Sequence, residues 1–149
     1  MKSAAKIELC GSSMMSNETI GSSAEALFNS DNYDSDGDGI SNALERAFGG
    51  DSLSNDSRNT LPRPIKSKPS AYSDHEFITF MMYQDAFNTE GIEYIVETSY
   101  DLRTWDASGA TEHSSQNLEG GMQQVVYRSN QGRSDGHDKI FIRVRVKTK

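Results

Sequence analysis

Alternation of apolar and polar positions is clearest near the C-terminal end, where Ile140, Ile142, Val144 and Val146 interleave with Phe141, Arg143, Arg145 and Lys147. A period of two marks a half-buried strand, so this segment is predicted as a strand with one core face and one mostly cationic solvent face. Residues 76–83 (EFITFMMY) are apolar on both faces, and residues 92–98 (IEYIVET) are rich in β-branched and aromatic side chains. With residues 123–128, which follow a Gly-Gly pair, they read as three further strands. One or two more are expected around residues 105–112. Near the start, Ala5, Ile7 and Leu9 alternate with Lys6, Glu8 and Cys10, the pattern of another short strand. The predicted fold class is mainly β, an antiparallel sandwich.

Helical spacing occurs in two short stretches. In residues 22–28, Ser22 and Glu25 stand in capping-box spacing ahead of Ala26, Leu27 and Phe28. In residues 42–48, Leu44, Ala47 and Phe48 share one face and Gly49-Gly50 supply the stop. Residues 51–70 lose all periodicity and hold the chain's three prolines, Pro62, Pro64 and Pro69. They read as a semi-rigid linker rather than a folded element. The expected organisation is an N-terminal arm with a possible donor strand (1–21), a helix–loop–helix segment (22–50), the linker (51–70) and a β-sandwich module (71–149).

Between the two helical stretches lies the segment with definite chemistry, residues 34–45 (DSDGDGISNALE). Hard divalent cations take six to eight oxygens, and alternate residues of a tightly wound loop turn theirs inward. Asp34, Asp36, Asp38, Asn42 and Glu45 occupy loop positions one, three, five, nine and twelve. Ile40, at position seven, would offer its backbone carbonyl, and Gly39 permits the sharp turn. These six residues are the predicted ligands of a Ca2+ ion. The competing reading is a polar turn, since Asp and Gly dominate turns for local reasons. Carboxylates packed at these offsets repel one another without a cation, which favours the metal.

Composition adjusts this picture without redirecting it. The chain has 149 residues, 34% hydrophobic and 25% charged, a length suited to one domain or a small domain with an appendage. Its formal net charge is -7, and residues 1–60 hold four basic against ten acidic side chains. Acidity concentrated around the loop argues against nucleic acid, which needs a basic face. No run is long enough to span a membrane. The first ten residues carry no apolar signal core, as expected of a chain beginning after a processing site. Cys10 is the single cysteine, so an intrachain disulfide is excluded.

Residues 34–53 (DSDGDGISNALERAFGGDSL) resemble a thrombospondin type 3-like calcium motif. Together with YIVETSYDLRTW (94–105) and FIRVRV (141–146), they are similar to a C-terminal module of many exported bacterial proteins. That resemblance, covering roughly residues 30–147, implies one calcium loop leading through a proline-containing connection into a small immunoglobulin-like sandwich without catalytic activity. It also implies a ligand role for Asp34, Asp36, Asp38, Asn42 and Glu45 and a packing role for Leu102 and Trp105. Members usually end much larger proteins, whereas thirty-odd residues precede the loop here.

Other candidate chemistry is thin. His75, His113 and His137 lack zinc-ligand spacing and read as exposed loop histidines. Glu93 and Glu97 read as a solvated strand face rather than an acid and base pair. Trp105 reads as a plug at the end of the sandwich, with sugar stacking as the alternative. An immunoglobulin-like sandwich needs about seven strands, so the predicted set is one short, and the N-terminal strand would supply the missing one in its own sheet or a neighbour's. The expected function is non-enzymatic: an extracellular, secreted, calcium-stabilised structural protein that self-assembles as a filament or surface-layer subunit. The alternative is a module that binds glycans or anchors to a cell surface.

Overall fold

Burial and hydrogen bonding turn the predicted alternation into two sheets. The computed structural model describes residues 5–9, 32–55, 60–86 and 90–148, the first of these segments at the backbone. Their elements are β1 (Ala5–Leu9), α1 (Asn42–Ala47), β2 (Arg63–Pro64), β3 (Phe77–Tyr83), β4 (Ile92–Ser99), β5 (Ala110–Asn117), β6 (Met122–Ser129) and β7 (Phe141–Thr148). One sheet has the order β1-β7-β4 and the other β2-β3-β6-β5. Pairing is antiparallel except where β1 runs parallel to β7. The predicted helix at residues 22–28 lies outside the described residues.

Alternate side chains of the two sheets meet in one core. Ile92 and Val96 of β4 and Ile142, Val144 and Val146 of β7 pack with Ile78 and Phe80 of β3 and Val125 of β6, all buried. Each such side chain contributes about 1.5–3 kcal/mol by leaving water. Helix α1 closes this core. Ala47 and Phe48 belong to the same cluster, and the Phe48 ring stands 6.0 Å from the rings of both Phe80 and Tyr94. The Tyr94 hydroxyl donates to the Ala47 carbonyl, and burial pushes its phenol well above the ordinary range. Beyond Phe48 the helix is stopped by Gly49 in the left-handed region (φ 73°), with Gly50 N donating to Glu45 O at 2.7 Å. Only glycine adopts that conformation without strain, so the Gly-Gly stop works as predicted.

Several expectations are corrected. The linker holds a folded element: Arg63 and Pro64 pair with Thr79 and Ile78 as β2, a position at the sheet edge where proline's missing donor costs nothing. Lys68 is tied to buried Glu76 at 2.9 Å. The second face of β7 is not solvated at Arg143, which is 8% exposed. Its Nε donates to Glu97 Oε2 at 2.7 Å, and Arg145 reaches Oε1 of the same carboxylate at 3.0 Å. Glu97 is therefore a buried, charge-compensated residue, whereas Glu93 fits the solvated reading, 3.7 Å from the exposed Lys147 amine. Trp105 does not plug the sandwich: its ring lies over the Arg143 guanidinium at 3.9 Å, on the outer side of the three-stranded sheet. Leu102 packs no core either, being 50% exposed at φ 63°. Of the histidines, His75 is half-buried with Nδ1 2.7 Å from the Ser129 carbonyl oxygen, and His113 lies in β5 rather than a loop, its ring 5.3 Å from that of Phe77.

Gly109 marks a close approach that protects an edge. Asp106 exchanges two backbone hydrogen bonds with Thr98 on the free side of β4, and a Cβ on Gly109 would stand 1.8 Å from Thr98 Oγ1. The chain there lies against the strand and covers part of its unpaired edge.

Phe48→Ala is expected to lower unfolding free energy by about 3–5 kcal/mol in urea titrations, because the emptied volume lies between both sheets and the helix. Leu53→Ala, at a site 76% exposed, should stay within about 0.5 kcal/mol of the parent.

Candidate metal centre

The loop that precedes α1 is wound by its own carboxylates. Asp34 Oδ1 accepts from the amides of Gly37 at 2.8 Å and Asp38 at 3.2 Å, and its Oδ2 accepts from Gly39 at 2.8 Å. Asp36 Oδ1 accepts from Asp38 N at 3.1 Å, and Asp38 Oδ1 from Ile40 N at 2.8 Å. Gly37 and Gly39 take φ of 75° and 93°, the left-handed conformations that let so short a segment reverse. Asp and Gly are thus placed for turn chemistry, and the same winding brings one carboxylate oxygen each of Asp34, Asp36 and Asp38 within 4.8 Å of one another.

Electrostatics divides the three. Backbone donation, led by Gly39, holds Asp34 below the ordinary carboxylate value against an opposing effect of burial. Asp36 is pushed the other way, first by burial and then by the negative neighbours Asp38 and Asp34. Its Oδ2 is buried and has no hydrogen-bond partner among the described residues. An all-oxygen donor set with one such buried carboxylate oxygen fits a hard divalent cation, whose charge would offset the burial and, after it, the repulsion that raise Asp36.

The six predicted ligands do not all converge. Asp34, Asp36 and Asp38 come together as expected. Ile40 is at the loop exit with its amide held by Asp38. The Asn42 side chain is turned to Ser35, accepting from Ser35 N at 3.1 Å and donating to Ser35 Oγ at 2.8 Å. Glu45 is fully buried one turn into α1 and lies outside the three-aspartate cluster.

A second polar constellation, not anticipated from the sequence, sits at the turn after β4. Ser99 Oγ accepts from Leu102 N at 2.9 Å, while Asp101 Oδ1 accepts from the amides of Arg103 and Thr104, both at 2.8 Å. This turn holds Leu102 in its left-handed conformation. Beside it, Tyr100 stacks on His137 with ring centres 3.6 Å apart, and both groups bond Gln131 Oε1 at 2.9 Å. No local signal announces this cluster, because Tyr100 and Gln131 are 31 positions apart.

Donation from Thr104 N, then Arg103 N, pulls the Asp101 carboxyl down to about 2 from its ordinary 3.8. A depressed folded-state value stabilises the fold above the ordinary value and ceases to do so as pH falls through the folded one. Asp101→Ala should accordingly melt below the parent above about pH 5, with the gap closing between about pH 4 and 2. A gap that stays constant across that window would show that the carboxylate charge is immaterial. No family model, curated protein or solved structure matches this chain.

Proposed function

We propose that this protein is a non-enzymatic structural building block that acts outside cells and is braced by one calcium ion. The observation that carries the reading is the convergence of the Asp34, Asp36 and Asp38 carboxylates at the entry to α1. That helix delivers Phe48 between the sheets, so a cation held in the loop stabilises the closure of the whole core. Asp34, Asp36 and Asp38 would hold the ion. Ile40, Asn42 and Glu45 are the further candidates by loop position. Bound calcium would supply the positive charge that lets the three carboxylates coexist in ionised form. A sandwich of the immunoglobulin-like kind, an extracellular address and self-assembly complete this reading. The compartment follows from calcium supply, which is ordinarily millimolar outside cells and scarce inside them.

A glycan-binding or anchoring role is the alternative reading, and its best support is Tyr100, 41% exposed on a tightly hydrogen-bonded turn. Trp105 has one ring face on Arg143, just as Tyr100 has one on His137. The structural reading is preferred because the loop, the helix and the core form one connected unit.

Asp36→Ala should lower the melting temperature in millimolar calcium by roughly 5–10 °C, if calcium stands about a hundredfold above its Kd, and change it little in chelator. The checking measurement is a thermal melt of parent and variant in both buffers. An equal loss in calcium and chelator would refute a ligand role.

A further inference from the structure

Strand β1 is an edge strand attached by pairing to one neighbour. It runs parallel to β7 with Ala5 opposite Ile142, Ile7 opposite Val144 and Leu9 opposite Val146, the positions of β7 that face the core. Lys6 and Glu8 stand in register with Arg143 and Arg145. Parallel pairing is slightly weaker per residue than antiparallel pairing, and β7 retains β4 on its other side. Were β1 to leave, β7 would become an open edge with unpaired backbone groups beside three core residues.

Chain length permits such an exchange. Leu9 pairs with Val146, which is also paired with Tyr94, and the Tyr94 hydroxyl meets Ala47 at the end of α1. Tyr33 accepts a backbone hydrogen bond from Asn42 at the start of the same helix. Strand β1 therefore ends close to where the chain re-enters the fold. Residues 10–31 connect these points, and 22 residues can reach on the order of 70 Å when extended. The connection is long enough for the strand to dock on its own sheet or on that of another copy.

We propose that residues 5–9 are an exchangeable strand and that the partner is a second copy of this chain, which receives the strand on β7 in the same parallel register. The proposal rests on the reading of the protein as a structural building block and names its contact. Reciprocal exchange closes a two-fold dimer, and one-way donation builds an open chain. In dilute solution the tether keeps the strand at an effective concentration of about a millimolar near its own sheet, so exchange prevails where copies are crowded or after unfolding and refolding together.

Cysteine trapping in the full chain tests this. In a Cys10→Ser background, one preparation carries Glu8→Cys and a second Arg145→Cys, a pair directly opposed in the register and within disulfide reach. The two are unfolded, mixed, refolded at high concentration and oxidised. A heterodimer whose yield rises with protein concentration is expected, and replacing Arg145→Cys by Arg128→Cys, in the other sheet, should abolish it. If only the double variant Glu8→Cys/Arg145→Cys forms an internal disulfide, the strand docks solely on its own chain and the proposal fails. Absence of both disulfides removes the β1–β7 pairing and the proposal with it. Should either variant lose its cooperative melt, native mass spectrometry of unmodified light and isotope-labelled chains replaces the trap. Mixed dimers or larger mixed oligomers support exchange, and their absence at millimolar protein overturns it. Running every arm in calcium and in chelator separates the two ideas. A lost cross-link with calcium stabilisation intact defeats exchange alone, and a retained cross-link with no calcium stabilisation defeats the brace alone.

Discussion

Phe48 is the side chain on which both halves of this structure depend. Its ring meets Phe80 from one sheet and Tyr94 from the other, so it is common to layers that otherwise touch only through their own apolar faces. The helix that carries it is six residues long, too short to persist by itself. Its position has to be imposed from outside. Two devices do this, the Gly49-Gly50 reversal behind it and the acidic loop ahead of it, and the Tyr94 hydroxyl fixes the last carbonyl between them. The winding of the acidic loop and the apolar packing of the core are thus one problem rather than two.

The outer sides of the sheets are built differently. Phe77 is buried away from the main core, with the ring of His113 5.3 Å away and that of Tyr72 packed in turn on His113 and Arg128. This explains why residues 76–83 are apolar on both faces: β3 has a small aromatic cluster on its far side as well as the core on its near side. On the other sheet, the corresponding layer consists of Trp105, Arg143, Glu97 and Arg145, a stacked and ion-paired group in place of a second apolar cluster.

What could be read from the sequence follows the range of the interactions concerned. Strands β3, β4, β6 and β7 are legible from local signals: alternation through Val144 and Val146 in β7, apolar side chains on both faces of β3, β-branched and aromatic residues in β4, and the Gly-Gly pair ahead of β6. Strand β5 (ATEHSSQN) was largely missed, since it exists through hydrogen bonds to β6 and is mostly exposed on both faces, leaving no apolar pattern. The aspartates of the loop were legible because their spacing is local. The contact between the Asn42 side chain and Ser35, seven residues earlier, is not legible there, because loop position says nothing about which neighbour a side chain turns to. Burial of Glu97 was invisible for the opposite reason: its arginine partners lie 46 and 48 positions away. An alternating strand predicts which side a residue faces, but not whether something else comes to cover it.

The Glu97 ion pairs have a consequence for assembly of the sheet itself. A slip of one residue in β4 against β7 would turn Glu97 toward the core and Val96 toward the arginines. An apolar strand alone tolerates such an error poorly but not prohibitively. A carboxylate stranded among Ile142, Val144 and Phe80, with two guanidinium groups left unmatched on the far side, makes the slipped state far more costly. Glu97 therefore acts as an alignment gauge, a charge that is neutralised in one register and penalised in its neighbours, which confines this strand pair to a single way of closing.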